Sequence, residues 1–355
     1  MKSTRADFCK TKMLRLDLDT PSTPPNFPSL FFKYFIASCA ILFGLLCLSG
    51  FIIVSIKGDI NSSLLKQCKT DDQSTALCFL RLITTNAMET RWDKYVMTSL
   101  LLTYASVFLH IIVESSRTNV SSLLGQMIIQ TICIIFGIGV AFPILFIPSY
   151  IYFYKLKTNS DKSPVPIDIL CLALVYIICM IIVPTYLIYF LPSSKSAESI
   201  LSIILLISPV GFALISFPFR LLSSTMQRCW IINSHRLIIH CQISLFILSA
   251  PLFFISLVSF IMHGSLESIK QSYVTDQIHP VTLIWSIDYI SLLLSLALFI
   301  IINEYLFHRI AYELLPSRIK LIIGLIIFMI VLFITPCLAF PLYIVWREYR
   351  YLQMT

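Results

Sequence analysis

The sequence predicts an all-α membrane protein, a polytopic helical bundle of about eight transmembrane helices. Of its 355 residues, 57% are hydrophobic and only 12% are charged, and the mean hydropathy is +0.87. Soluble domains carry roughly 25% charged residues, so this chain has too few polar groups to cover a water-facing surface. Its apolar residues also fall into separate runs of about 20, which is the length that a transmembrane helix needs.

Each apolar run predicts one span, and the runs divide the chain into a tail, a membrane domain and a short end. The spans lie near Leu30–Ile56, Tyr95–Val113, Leu123–Tyr154, Ile167–Leu191, Ile200–Leu222, Leu237–Met262, Val281–Ile302 and Leu321–Trp346. Residues 1–29 are polar and rich in Pro and Ser, which predicts a disordered tail. Residues 30–346 form a single transmembrane domain, and residues 347–355 form a short C-terminal tail. Prolines such as Pro143, Pro184, Pro251 and Pro336 are expected to interrupt their helices.

The basic residues indicate an orientation. Loops three, five and seven each carry three Lys or Arg residues, whereas loops two, four and six carry one each. Because cytosolic loops are enriched in Lys and Arg, this alternation predicts that the odd-numbered loops face the cytosol. The N-terminal tail carries six when Lys33 is included, the first loop also carries six, and the two cancel. The formal charge of +8 therefore bears on topology and anionic lipid, and no basic stripe indicates nucleic acid.

The eleven cysteines are scattered, and no CxxC or Cys/His spacing predicts a metal site. Most of them lie in apolar stretches, where small buried side chains are expected. Cys68 and Cys78 share the polar loop after the first span. They would pair if that loop faces an oxidising compartment, and the sequence leaves this open.

One carboxylate lies inside an apolar span, in the segment IWSIDYISLLLSLALFIIINEY that runs from Ile284 to Tyr305. A charge in the membrane costs roughly 3 kcal/mol, so Asp288 needs a reason to be there. Trp285, Asp288, Ser291 and Ser295 recur at helical spacing and form one stripe that should face the bundle interior. Asp288 is then either a functional group or a hydrogen-bond partner that holds a neighbouring helix in place.

Alternation of the predicted spans places several polar and aromatic residues on one side of the membrane with Asp288. They are His110, Glu114, Tyr186, Tyr189, His263 and Trp285. A carboxyl group removed from water favours its protonated form, which a general acid requires, and aromatic faces stabilise a carbocation. The alternative is an ordinary interfacial belt of aromatic and charged residues. The other side has Asp168, Arg220, His235 and His240, of which Asp168, at a helix N-terminus, is interpreted as structural. Glu304, at the far end of the same span as Asp288, is interpreted as an interfacial cap.

Several kinds of enzyme site are missing from the sequence. No GxSxG, HExxH, P-loop or DDxxD motif is present, so neither a metal nor a cofactor is predicted. A single buried Asp is compatible with a proton-driven transporter, but no inverted repeat supports that class.

Four short stretches resemble a known group of membrane proteins. The similarity extends from about Leu123 to Glu348. The stretches are PILFIPSYIYFY (Pro143–Tyr154), SPVPIDILCLALVYIICMIIVPTYLIYFLP (Ser163–Pro192), IWSIDYI (Ile284–Ile290) and FPLYIVWRE (Phe340–Glu348). Together they resemble the integral-membrane proteins of fungal terpenoid clusters, namely the ascofuranone-type membrane terpene cyclases and the related proteins of paxilline- and lolitrem-like indole-diterpene clusters.

This resemblance implies a cofactor-free cyclase of mycotoxin-type secondary metabolism. Such an enzyme protonates an epoxide on a prenylated indole-diterpene or meroterpenoid substrate and guides cation cyclisation. Asp288 would be the acid, Glu114 a second acid or proton relay, and Trp285 and Tyr289 cation stabilisers. The substrate site would also include His110, Tyr186, Tyr189 and His263.

The resemblance also implies a location and partners. The chain would be a multi-pass protein of the endoplasmic reticulum, in contact with lipid, with its lipophilic substrate and with other pathway enzymes. The alternatives are a non-catalytic scaffold or accessory protein of the same pathway, and a small-molecule transporter or receptor-like protein.

Overall fold

The computed structural model describes the helical part of the chain. It covers residues 30–57, 68, 78, 91–117, 137–151, 165, 167–190, 234–263, 280–310 and 318–354, together with most of 200–216. Within these residues the regular structure is helical, and no strand is present. The predicted disordered tail, residues 1–29, lies outside the described residues.

The described helices follow the predicted apolar runs. They are α1 Leu30–Lys57, α2 Arg91–Arg117, α3 Ile138–Ile151, α4 Ile167–Phe190, α5 Ser234–His263, α6 Pro280–Ile310, α7 Arg318–Ile334 and α8 Pro336–Met354, with short helical stretches between residues 203 and 216. Five of those described, namely α1, α2, α4, α5 and α6, are long and apolar enough to cross a membrane, against the eight spans that the sequence predicts. The chain is therefore a helical membrane protein.

Helix α2 lies at the centre of the bundle. Its apolar window is 100% buried, whereas that of α1 is 11% buried and presents large apolar side chains outward. Helices α4, α5, α6 and α8 pack around α2, and α1 packs on α6 and α3. Because lipid is as apolar as Leu or Ile, the outward side chains of α1 and α7 suit a lipid-facing position.

The helix directions differ from the predicted alternation. Ser99 of α2 contacts Tyr289 of α6, and farther along His110 contacts Phe299, so α2 and α6 run parallel. Helix α5 is antiparallel to them, since Trp92 contacts Phe260 near the start of α2. The prediction that spans two and seven run in opposite directions is wrong.

The physical reason lies in the third predicted span, Leu123–Tyr154. Helix α3 begins only at Ile138, after Gly137, whose φ of 86° is a left-handed conformation that favours glycine. From there α3 runs parallel to α6, because its two ends contact Asp288 and Asn303. Helices α2 and α3 therefore run in the same direction. A count of one span for each apolar run assigns them opposite directions, and the directions of the later spans are then also wrong.

The eighth predicted span, Leu321–Trp346, is two helices that fold back on each other. Phe328 of α7 and Tyr343 of α8 have ring centroids 5.8 Å apart, whereas 15 residues of straight helix extend about 22 Å. The break is at Thr335 and Pro336, because proline has no N–H to continue the helix. Thr335 starts α8 through its carbonyl, which accepts from the N–H of Ala339.

The predicted C-terminal tail is also different. Helix α8 continues to Met354, so residues 347–354 belong to the bundle. Arg347 and Glu348 are fully buried, with no exposed surface.

Prolines within helices act in two ways. A π-helical turn forms at Phe142–Phe146, which contains Pro143, and another at Ile178–Ile182, just before Pro184. Pro251, in contrast, lies inside an unbroken α5, so the predicted interruption there is wrong.

Cys68 and Cys78 form a disulfide bond, and both are buried. The bond closes part of the segment between α1 and α2. The pairing that the sequence left open is therefore present.

Candidate functional site

Asp288 binds the start of another helix. Its Oδ1 accepts a hydrogen bond of 2.8 Å from the backbone N–H of Gly139, the second residue of α3. The residue before α3, Gly137, has no side chain with which to cap the helix itself. Asp288 thus takes the role that an N-cap side chain normally has, but from a different helix.

This contact explains a carboxylate in an apolar span. The first N–H groups of a helix have no partner within the helix, and inside a membrane water does not supply one. A negative charge is also favoured at a helix N-terminus by the helix dipole. Asp288 is 3% exposed, so it meets this need within the bundle interior. It is a contact of the kind that the structural interpretation of Asp288 predicts.

Two glycines let α3 approach α6 closely. A Cβ added at Gly137 would overlap the Asp288 carboxylate, and one added at Gly139 would overlap the backbone of Asp288 and Leu292. The hydroxyl of Ser295 lies 3.3 Å from the carbonyl oxygen of Gly139. The backbone of α3 therefore occupies the space in front of the carboxylate.

The aromatic neighbours of Asp288 on α6 contact α2. The hydroxyl of Tyr289 lies 3.2 Å from Ser99 Oγ, and Trp285 packs against Met97 and Leu101. Of the predicted stripe, Asp288, Ser291 and Ser295 are buried, and Trp285 is half-buried.

Glu114 lies at the other end of α2, in a buried ionic cluster. Nη2 of Arg347 donates to Glu114 Oε1 at 2.5 Å and to Glu348 Oε1 at 2.7 Å. Glu348 Oε2 in turn lies 2.6 Å from Nδ1 of His235, at the start of α5. These side chains connect α2, α5 and α8.

A second set of contacts extends the cluster to α3 and α6. Glu304 Oε1 accepts from the hydroxyl of Tyr343 at 2.9 Å and from Nη2 of Arg350 at 2.5 Å. Asn303 accepts from Tyr150 of α3 and donates to the hydroxyl of Tyr343. We refer to Glu114, His235, Glu304, Arg347, Glu348 and Arg350 together as the ionic cluster.

Arg347 uses only part of its guanidinium group. Both of its bonds are made by Nη2, and within the described residues Nε and Nη1 have no hydrogen-bond acceptor. The side chain is fully buried. A guanidinium has five N–H donors, so this cation has capacity for another acceptor.

An aromatic layer separates the Asp288 contact from the ionic cluster. His110 is fully buried, and its ring centroid lies 5.7 Å from that of Phe146, 5.2 Å from Phe299 and 5.8 Å from Phe340. These rings come from α3, α6 and α8. Their packing fills the middle of the bundle with apolar surface around one imidazole.

One face of α2 links the two ends. Its polar side chains recur at spacings of three and four residues, and all are buried: Ser99, Thr103, Ser106, His110 and Glu114. Ser106 donates to Gln242 of α5 at 2.7 Å, and Thr103 bonds the carbonyl of Ser99. The sequence interpretation included only the last two members of this row, although the spacing of all five is visible in the sequence.

The predicted site is therefore divided. Asp288, Trp285 and Tyr289 lie near the starts of α2 and α6, whereas Glu114 is 15 residues beyond Ser99, or about 22 Å along the helix. His110 lies between them. Since α2 and α6 are parallel, the expected meeting of Glu114 with Asp288 does not occur.

The remaining predicted residues lie on α4 and α5. Tyr186 donates to the carbonyl of Leu248 at 2.7 Å, Tyr189 packs on Phe190, and His263 is the last residue of α5. None of these contacts joins them to Asp288. Arg347 and Glu348 were missed because they follow the last apolar run, although Tyr343, Arg347 and Arg350 share one helical face.

No protein-family model, no curated protein and no solved structure matches this chain. Nor do the described residues contain a group of three or more His, Cys, Asp or Glu side chains placed to hold a metal ion.

Replacement of Gly139 by Ala should destabilise the protein. The new Cβ would push α3 away from α6 and weaken the bond to Asp288, and such overpacking costs about 1–3 kcal/mol. We expect a lower melting temperature, which is measured by the Trp fluorescence of the purified protein in detergent. The matched control is Gly324→Ala in α7, where an added Cβ meets nothing within 4 Å. Equal melting of the two variants would contradict the close approach.

Replacement of Arg347 by Met should lower the stability by more than the lost packing of the Arg347 side chain explains. Glu114 and Glu348 would be left buried without their cation, a change worth about 3–5 kcal/mol. Addition of Glu114→Gln should restore part of the loss, because it removes one of the two carboxylates. Arg236→Met, at an exposed position on α5, serves as the control. If Arg347→Met and Arg236→Met had the same melting temperature, the ionic cluster would not contribute to the stability of the fold.

Proposed function

We propose that this protein is a receptor-like membrane protein, in which a change in helix packing at one end of the bundle alters the packing at the other. The observation that carries the proposal is the ionic cluster, whose buried charges connect the ends of α2, α5, α6 and α8. A replacement by apolar residues is often neutral or stabilising, so stability alone gives little reason for buried ion pairs. A discrete rearrangement of partners gives such a reason.

The spare donors of Arg347 support this role. Its Nη2 already holds two carboxylates, and a rotation of α8 would present Nε and Nη1 to one of them without leaving it unpaired. Two arrangements with similar pairing differ little in energy, which is the condition for a bistable element. Packed interiors of this kind shift between discrete arrangements.

The position of α2 supports transmission. It is enclosed by other helices, contacts Tyr289 near its start and holds Arg347 near its end. A displacement of α2 at one end therefore changes contacts at the other. Between the two ends the described residues form the aromatic layer around His110, which suits mechanical coupling better than passage of a solute.

Release of the ionic cluster should change the distance between α5 and α8. Arg236 and Tyr349, both of which are exposed, are replaced by non-canonical amino acids that carry spin labels. Pulsed electron paramagnetic resonance then measures the distance between the two labels. We expect a second, longer distance in the Glu114→Gln variant, because Arg347 then has one carboxylate fewer. The control is Asp168→Asn, an exposed carboxylate at the start of α4. A lower melting temperature with a single unchanged distance would mean that the cluster is only structural.

The terpene cyclase of the endoplasmic reticulum is the second candidate function. It is favoured by a carboxylate that is 3% exposed and lies next to Tyr289 and near Trp285, in a helix that is long and apolar enough to cross the membrane. The backbone of α3 would have to move away for Asp288 to reach an epoxide. This function therefore needs a second conformation of α3.

Asp288→Asn separates the two functions. The Asn side chain still accepts a bond from Gly139 through its carbonyl oxygen, so the fold should persist, but it has no proton to give. Microsomes that contain the protein are given an epoxidised prenylated indole, and products are followed by mass spectrometry. A cyclase would form product in the wild type and at least about 100-fold less in the variant at equal protein level. We expect no turnover in either, and turnover that Asp288→Asn abolishes would establish the cyclase instead.

A further inference from the structure

We infer that the end of the bundle next to the Cys68–Cys78 disulfide faces the extracellular space or an organelle lumen, and that the ionic cluster faces the cytosol. This orientation is independent of the proposed function. It rests on the disulfide, the helix directions and the distribution of basic residues.

The disulfide identifies one side. Disulfides persist in oxidising compartments and are rare in the cytosol, where thiols are kept reduced. Cys68 and Cys78 belong to the segment that ends at Arg91, where α2 begins. The side of the membrane at which α2 starts is therefore the oxidising side.

The helix directions carry this assignment to the ionic cluster. Because α2 and α6 are parallel, the starts of both lie at the disulfide end. The far end of α2 holds Glu114, and Glu114 binds Arg347 near the end of α8. His235, at the start of the antiparallel α5, reaches the same cluster through Glu348. The ionic cluster thus lies at the opposite side from the disulfide.

The basic residues of the later loops agree with this assignment. The first loop is the exception: it carries six Lys or Arg and lies at the disulfide end, so the prediction that every odd-numbered loop faces the cytosol does not hold for it. Helices α3 and α6 end at the ionic cluster, since Tyr150 bonds Asn303 and Glu304 bonds Arg350. Helix α5 begins there with His235, and α7, which folds back on α8, begins at the same end. The chain segments next to these helix ends are the predicted loops three, five and seven, with three Lys or Arg each. Loops four and six carry one each. Loop four lies at the disulfide end because α4 crosses the membrane from the side of loop three, and loop six lies there because α5 ends next to the start of α2. Lys and Arg are enriched on the cytosolic side.

The orientation fixes what each end can meet. A cytosolic partner reaches the ends of α5 and α8, where His235 and Glu348 are joined. An extracellular or luminal molecule approaches the end with Trp92, Tyr95 and Phe260, whose rings pack at 5.2–5.8 Å. Any signal would then run from the end with Trp92, Tyr95 and Phe260 to the ionic cluster.

Glycosylation reporters test the orientation in microsomes. The chain has its own N-x-S sequons at Asn61 and Asn119, which are first removed by Asn61→Gln and Asn119→Gln. A Gly/Ser linker with one N-x-S sequon is then inserted either between Asp71 and Asp72 or between Asn159 and Ser160. We expect a glycosidase-sensitive shift with the first insertion and none with the second, because oligosaccharide transfer occurs in the lumen. A shift with the second insertion, alone or together with the first, would overturn the orientation.

A protease site at the same two positions gives a second measurement that does not depend on glycan transfer. In sealed microsomes, added protease should cleave at 159/160 and should cleave at 71/72 only after detergent. The reverse result would overturn the orientation, as would equal cleavage or equal protection of the two sites. Melting curves and label distances at the ionic cluster are measured on purified protein, so they report on the proposed function separately.

Discussion

A helix that begins inside an apolar bundle must find acceptors for its first N–H groups, and in this protein Asp288 supplies one. The contact with Gly139 fixes α3 against α6, and the two glycines at the start of α3 permit the approach. The parallel register that follows places Tyr150 against Asn303 at the far end of the same two helices. The position of α3, and with it one wall of the aromatic layer, depends on this one carboxylate.

The same constraint governs the ionic cluster. Charges in a membrane interior are costly, and Glu114, Glu304 and Glu348 each have a cation or hydroxyl partner at hydrogen-bond distance. The cluster includes Glu304, which the sequence analysis interpreted as an interfacial cap, and Arg347, which it placed in a C-terminal tail. Arg347 is the residue on which two carboxylates converge, so it sets how α2 and α8 meet.

Composition and apolar run length are sufficient to predict a helical membrane protein, and helical spacing predicts that Ser291 and Ser295 face inward. The rest depends on features that hydropathy does not register. The break at Pro336 lies in a run that is apolar on both sides, and Gly137 interrupts another such run. A single uncounted reversal inverts every later span, which is why Glu114 and Asp288 were expected on the same side. Arg347 was placed in a tail because the apolar run ends just before it.

The contacts divide the bundle into two parts that differ in how firmly they are joined. Helices α3 and α6 are tied at both ends, through Asp288 and through Asn303, over 15 residues or about 22 Å, so they should move as a unit. Helix α2 meets this pair through a hydroxyl contact at Tyr289 and through aromatic packing, whereas its Glu114 forms an ion pair with Arg347 of α8. Helix α8 is also tied to α6, through Tyr343 and Arg350. A rotation of α8 would have to break these contacts with Glu304, and it would then reposition α8 and α2 against the α3–α6 pair. The polar face of α2 lies along the surface where that movement would occur.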